Sequence, residues 1–206
     1  MGAMAVMPRD GWTVDDLAEL PDDGNRYEVL DGRLLVTPAP RPIHQRVSLR
    51  LAVVLDAARP AGAEVFCAPV DYRPTGTRSV QPDLLVVRCD DVGERFVEEP
   101  PLLVVEILSP GTRRVDLTLK RRVYAEAGVP AYWVVDPDPV KPAITVLGPG
   151  EVGSYREVAY ALADQPLTVE VPFPVTVVPA ALVGAASRRC RSGAVSCRGT
   201  SSRRTG

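Results

Sequence analysis

Three side chains draw attention because their chemistry is out of place in its surroundings. In Leu102-Leu-Val-Val-Glu106-Ile-Leu108, one carboxylate interrupts six aliphatic residues. An ionised carboxylate in an apolar strand is costly unless it is paired with a cation or bound to a metal. Strand alternation puts Glu106 on the same face as Val104 and Leu108. Ser109-Pro110-Gly111 then ends the strand, leaving Glu106 near a C-terminal strand edge, where open α/β sheets place ligands. Asp83 follows Gln81-Pro82 and opens Leu84-Leu-Val-Val87; a proline is tolerated at a strand start because its missing N–H is not needed there. If these two strands are neighbours, Asp83 and Glu106 point the same way and can share a divalent cation. Hard cations such as Mg²⁺ take one or two carboxylates together with water and phosphate oxygens. The third group is Lys120, one of two lysines in an arginine-preferring chain. It shares a helical stripe with Asp116 and Tyr124, spaced i, i+4 and i+8. An ammonium beside such an ion can orient a water or offset charge developing on a phosphate.

Each residue also has a plainer reading. Asp116 and Lys120 taken alone are an ordinary surface i,i+4 ion pair. Asp83 can serve as a turn residue after Pro82. His44 opens a helix, where a lone histidine is usually a cap or a surface residue. Glu28 alternates with Tyr27 and Val29, and facing solvent is the default for such a strand position. Two strand-borne acids with a lysine one helix later are more specific than any one of them.

The elements that must position these groups read as α/β. Thr13 to Leu20 predicts a short helix capped by Thr13, with Asp15 and Asp16 complementing its dipole. Two β-prone runs, Arg26–Leu30 and Arg33–Thr37, flank Asp31-Gly32, a hairpin signal because both turn positions need positive φ. Val47, Leu51, Val54, Leu55 and Ala58 are spaced as one helical face over Ile43 to Arg59. Strands are predicted over Ala63 to Tyr72, Asp83 to Cys89, Leu102 to Leu108 and Ala131 to Asp136. A helix from Arg113 to Ala127, capped by Thr112, joins the last two as a βαβ unit. Weaker strands follow at Ile144 to Leu147, Tyr155 to Ala159 and Leu167 to Val171. The expectation is a mixed central sheet flanked by helices, with an N-terminal β-hairpin and additional C-terminal strands.

Composition sets outer limits. The 206 residues are 46% hydrophobic and 24% charged, as in a typical globular protein. No apolar run approaches the roughly 20 residues needed to span a bilayer, and Met1 to Trp12 lacks a signal-peptide pattern, so the expected location is cytoplasmic with no membrane partner. Cys67, Cys89, Cys190 and Cys197 form no CxxC pair. With one histidine they do not make a zinc site, and Cys67 and Cys89 are expected to act as small hydrophobes. Residues 187–206 carry six arginines and no acid, which leaves a body with 18 basic and 26 acidic residues. The expected organisation is one domain over residues 1–186 and a disordered basic tail over 187–206. Such a tail can bind phosphates without specificity.

The run Tyr27-Glu-Val-Leu-Asp-Gly-Arg-Leu34, then Pro42-Ile-His44, Gln81-Pro-Asp-Leu84, Val105-Glu-Ile-Leu-Ser-Pro110, Asp116 to Lys120 with Tyr124, and Gly128-Val-Pro-Ala-Tyr-Trp-Val-Val-Asp-Pro137 resembles the Uma2 family of the PD-(D/E)xK, restriction-endonuclease-like superfamily. The likeness covers about Tyr27 to Leu147. It implies a restriction-endonuclease-like core in which Asp83 matches the PD aspartate and Glu106 the second acid. The usual lysine, two residues after that acid, is Leu108 here. The resemblance moves its role to Lys120 on the following helix. Glu28 matches an early glutamate that could complete the metal shell, and His44, Asp116 and Tyr124 match other favoured positions.

The implied activity is Mg²⁺- or Mn²⁺-dependent endonuclease hydrolysis of nucleic acid, with DNA as the expected substrate. Asp83, Glu106 and the backbone carbonyl of Ile107 would hold the metal, and a homodimer would suit two-strand cleavage. One rival is an inactive nuclease-fold module that binds nucleic acid or a protein partner. Another is a two-carboxylate glycosidase, which would want aromatic sugar platforms and would leave Lys120 without a role.

Overall fold

A computed structural model describes the backbone of residues 5–7 and all of residues 11–184. Met1 to Met4, Cys190, Cys197 and the basic segment 187–206 lie outside the described residues.

The first half runs through β1 (Ala5–Met7), a 3-10 turn (Asp15–Glu19), β2 (Arg26–Leu30), β3 (Arg33–Thr37) and helix α1 (Pro42–Ala58). Then come β4 (Ala63–Cys67), β5 (Asp71–Thr75), β6 (Arg78–Val80), β7 (Leu84–Arg88) and β8 (Phe96–Val97). The second half starts with β9 (Leu103–Ile107). A helical passage follows: α2 (Arg113–Val115), a π turn (Asp116–Lys120) and α3 (Arg121–Glu126). It ends with β10 (Tyr132–Asp136), β11 (Ala143–Pro149), β12 (Tyr155–Leu162), β13 (Leu167–Val169), β14 (Val175–Val177) and α4 (Pro179–Val183).

The central sheet has the order β12-β11-β10-β9-β7-β4. β9 pairs parallel with β10 and antiparallel with β7, so it is mixed, and the predicted βαβ unit forms its middle. β9 is buried along its whole length, which is why its sequence runs nearly unbroken in aliphatics. Leu84, Val86, Leu103, Val105 and Ile107 pack on one face with Val47, Leu51 and Leu55 of α1. Leu85, Val87, Val104 and Leu108 pack on the other face with Val123 and Tyr124 of α3. Burying each such side chain contributes roughly 1.5–3 kcal/mol.

The N-terminal hairpin forms as expected, with φ of 50° at Asp31 and 77° at Gly32. It does not stand apart, however. It belongs to a second six-stranded sheet, β1-β3-β2-β6-β5-β8, whose Leu30, Leu35, Tyr72 and Val80 cover the α3 face of the central sheet.

Several local expectations change. Ala63 to Tyr72 is two strands in two sheets. Its Pro69 cannot donate to a ladder, and the chain changes sheets between Cys67 and Asp71. The Thr13 helix is a 3-10 turn, and its capping runs the other way: Asp16 accepts the Thr13 amide and hydroxyl, each at 2.8 Å. Thr112 makes no side-chain cap; instead the Ser109 hydroxyl accepts the Thr112 amide at 3.2 Å. Cys67 and Cys89 are free and exposed rather than buried hydrophobes. Among the described residues no helix is long and apolar enough to cross a membrane.

Candidate active site

The register of β7 on β9 brings the two strand acids together. Leu84 lies opposite Val105, so Asp83 and Glu106 fall at adjoining strand ends on the α3 face. β9 runs past the end of its pairing with β7, and the Ile107 amide finds no further β7 residue opposite it. The Asp83 carboxylate takes that amide instead, at 2.8 Å from Oδ2. The same oxygen lies 2.9 Å from His44 Nε2, supplied by the first turn of α1. The other oxygen accepts a 3.0 Å bond from Arg26 on β2. Burial alone would raise the Asp83 pKa, but the His44 hydrogen bond and the Arg26 charge outweigh it and hold the carboxyl at about 2.

Glu106 is 2% exposed. Its Oε1 accepts hydrogen bonds from Lys120 Nζ at 3.0 Å and from the Tyr124 hydroxyl at 2.6 Å. Lys120 Nζ also stands 2.7 Å from Glu28 Oε1 and 4.0 Å from Asp116 Oδ1. Arg26 and Glu28 are alternate residues of β2, so they share a face of the second sheet. Glu28 accepts the Gln81 amide at 2.8 Å as well.

All seven predicted side chains therefore meet. Glu28, His44, Asp83, Glu106, Asp116 and Lys120 line one cavity of about 990 Å³, and Tyr124 lies behind it against Glu106. Ile107 contributes its amide, to Asp83. The plainer readings of Glu28 as solvent-facing and of Asp116 with Lys120 as a surface pair give way, since all three are at most 3% exposed. Arg26 was not among the residues predicted from sequence. Its signal was present in Arg26-x-Glu28, two charges on one strand face.

The charges do not balance. Four buried carboxylates (Glu28, Asp83, Glu106 and Asp116) face one lysine and one arginine. Burial pushes Glu106 well above the usual carboxylate range despite Lys120, and the neighbouring acids add to the rise. Burial likewise pushes Asp116 up to about 6 against the pull of Lys120. Burial works against the Lys120 charge, but Glu106, Glu28 and Asp116 more than compensate and keep it protonated.

The donor chemistry suits one hard divalent cation. Among the described residues no three His, Cys, Asp or Glu side chains form a ready-made metal cage, and Mg²⁺ needs no such cage. Asp83 receives three of the roughly four donors a carboxylate can accept. Among the described residues Glu106 Oε2 has no hydrogen bond. Both acids therefore retain lone pairs on the cavity side of a group that carries surplus negative charge.

A mixed sheet with acids at the ends of two central strands and a lysine beside them defines a restriction-endonuclease-like protein. The chain matches the Uma2 family, described as "Putative restriction endonuclease", over residues 14–181, and it belongs to that family. It is also similar to a solved structure of a "putative nuclease belonging to DUF820" from Anabaena variabilis ATCC 29413. That pair shares 22% identity at a TM-score of 0.62, over 78% of this chain and 89% of the other. No curated protein matches the chain.

Proposed function

We propose that the chain is an endonuclease that hydrolyses phosphodiester bonds, with Mg²⁺ or Mn²⁺ as cofactor and DNA as substrate. The observation that carries this reading is the buried surplus of carboxylates around a cavity-facing lysine. In a purely structural cluster that surplus would be a cost without return, because uncompensated buried charge destabilises. Asp83 and Glu106 would hold the ion, with the Ile107 carbonyl as a further donor. When bound, the ion would supply Lewis-acid chemistry, acidifying water and offsetting phosphate charge.

The chain's own residues do the rest. Arg26, His44 and the Ile107 amide keep Asp83 ionised and fix its orientation. Tyr124 and Lys120 load one oxygen of Glu106, which leaves the other for the ion. Lys120, held charged by three acids, would position the attacking water and meet charge developing on the phosphate.

The family description and the cavity wall support DNA as the substrate. Among the described residues lining the cavity, none is Phe, Tyr or Trp, so the stacking platforms typical of single-strand binders are missing. Pro38, Pro40, Pro110, Pro137 and Pro139 make rigid walls, and exposed Arg41 stands at the rim. That lining favours a substrate gripped by its backbone.

The test is nicking of supercoiled plasmid in Mn²⁺ and in EDTA. Cleavage should require the metal and fall on the order of 10³-fold in Glu106→Ala and in Lys120→Ala. Full metal-dependent cleavage by either variant would sink the assignment.

A further inference from the structure

The helix that delivers Lys120 departs from α geometry where its aim is set. In an uninterrupted α-helix each step of four residues overshoots a full turn by roughly 40°. Asp116, Lys120 and Tyr124 would then fan across roughly 80° of the helix surface. Yet Lys120 and Tyr124 converge on the same oxygen of Glu106, and Asp116 faces the same cluster. The widened turn over Asp116–Lys120 takes up the overshoot.

Single π turns are rare, and their geometry is less favourable than that of the α-helix, so this one needs a hold. The hold comes from the central sheet. The Tyr132 hydroxyl, on β10, donates to the backbone carbonyl of Asp116 at 2.9 Å. Tyr132 is fully buried. Its ring lies between those of Tyr124 and Tyr155, with centroids 5.2 Å and 5.8 Å away. Tyr155 in turn donates to the Val129 carbonyl at 2.7 Å. A rigid aromatic row thus pins the first carbonyl of the π turn to the sheet that carries Glu106.

We propose that Tyr132 is a positioning residue: its hydroxyl fixes the π turn and so keeps Lys120 on Glu28 and Glu106. The inference rests on the reading of Lys120 as part of the catalytic group, although Tyr132 bonds the Asp116 backbone and none of the carboxylates. Without the hydroxyl, the turn relaxes toward α geometry and Lys120 rotates off its partners.

The chain has two lysines, Lys120 and Lys141, so ¹⁵N-lysine labelling gives two side-chain signals. In Tyr132→Phe the Lys120 signal should shift and exchange faster with water. In Tyr155→Phe, which removes a similar buried hydroxyl from outside the turn, it should stay in place. Metal-dependent cleavage by Tyr132→Phe should lose on the order of tenfold to a hundredfold in kcat with KM unchanged. An unmoved Lys120 signal in Tyr132→Phe would overturn the proposal. If the unaltered protein cleaves nothing, the nuclease reading fails while the lysine signal still decides the role of Tyr132. Should Tyr132→Phe not fold, deletion of half-exposed Leu117 forces an α register with Tyr132 intact. The proposal requires the Lys120 signal to move there too, and an unchanged signal would overturn it.

Discussion

The two faces of the central sheet share strands but not purpose. Toward α1, the buried side chains of β7 and β9 are all aliphatic: Leu84, Val86, Leu103, Val105 and Ile107. Toward α3 the same strands carry a core, with Leu85, Val87 and Val104, bounded at one edge by Asp83, just before β7, and by Glu106 near the end of β9. One residue of register separates a face that stabilises from a face that carries surplus charge. Polar groups placed where a core is expected are retained for what they do rather than for the stability they add.

Three perturbations sharpen that contrast. The largest is Lys120→Ala. It leaves buried acids uncompensated and should cost about 3–5 kcal/mol of stability, beyond its effect on cleavage. Glu106→Gln, which removes a carboxyl whose anion burial already disfavours, should cost far less or should stabilise. Urea unfolding of the metal-free protein separates these outcomes, and equal losses would contradict the charge imbalance.

On the apolar face, Leu103→Ala should cost about 2–5 kcal/mol through the cavity it leaves. Cleavage per folded molecule, measured well below the unfolding transition, should be unchanged. A loss of kcat there would mean that the two faces are not functionally separate.

The most gradual effect is a pH slope. Asp116 titrates near 6 in the fold, against 3.8 in the unfolded chain. Between those values the folded state holds a proton that the unfolded chain has released. Stability of the metal-free protein should therefore fall as pH rises from about 4 to 6, by an amount on the order of 3 kcal/mol for this group. Glu106 acts in the same direction. Asp83 acts in the opposite one, but its window lies between about 2 and 3.8. Asp116→Asn should flatten the slope, and an unchanged slope would remove Asp116 as its cause.

Much of the site was legible because sheet chemistry is local. A lone acid among six aliphatics marks Glu106 without any knowledge of its neighbours, and the hairpin at Asp31-Gly32 follows from two dihedral requirements. Glu28 and Arg26 were harder to read. Their burial comes from a second sheet folding over the first, and alternation within β2 cannot report which face will be covered. Pro69 did carry the signal that splits β4 from β5, which the apolar run around it obscured. The π turn left no sequence mark. Arg113 to Ala127 reads as an ordinary helix, and the widening is imposed by contacts with Tyr132 and Glu106 on other elements.

The carboxylate surplus on the α3 face is the proposed seat of one divalent ion. Mn²⁺ binding followed by electron paramagnetic resonance at neutral pH tests it directly, without reference to any substrate. The unaltered protein should bind one Mn²⁺ per chain, and that site should be lost in Glu106→Gln and in Asp83→Asn, with Leu103→Ala unaffected. Absence of binding in the unaltered protein, or equal binding by all four proteins, would contradict it.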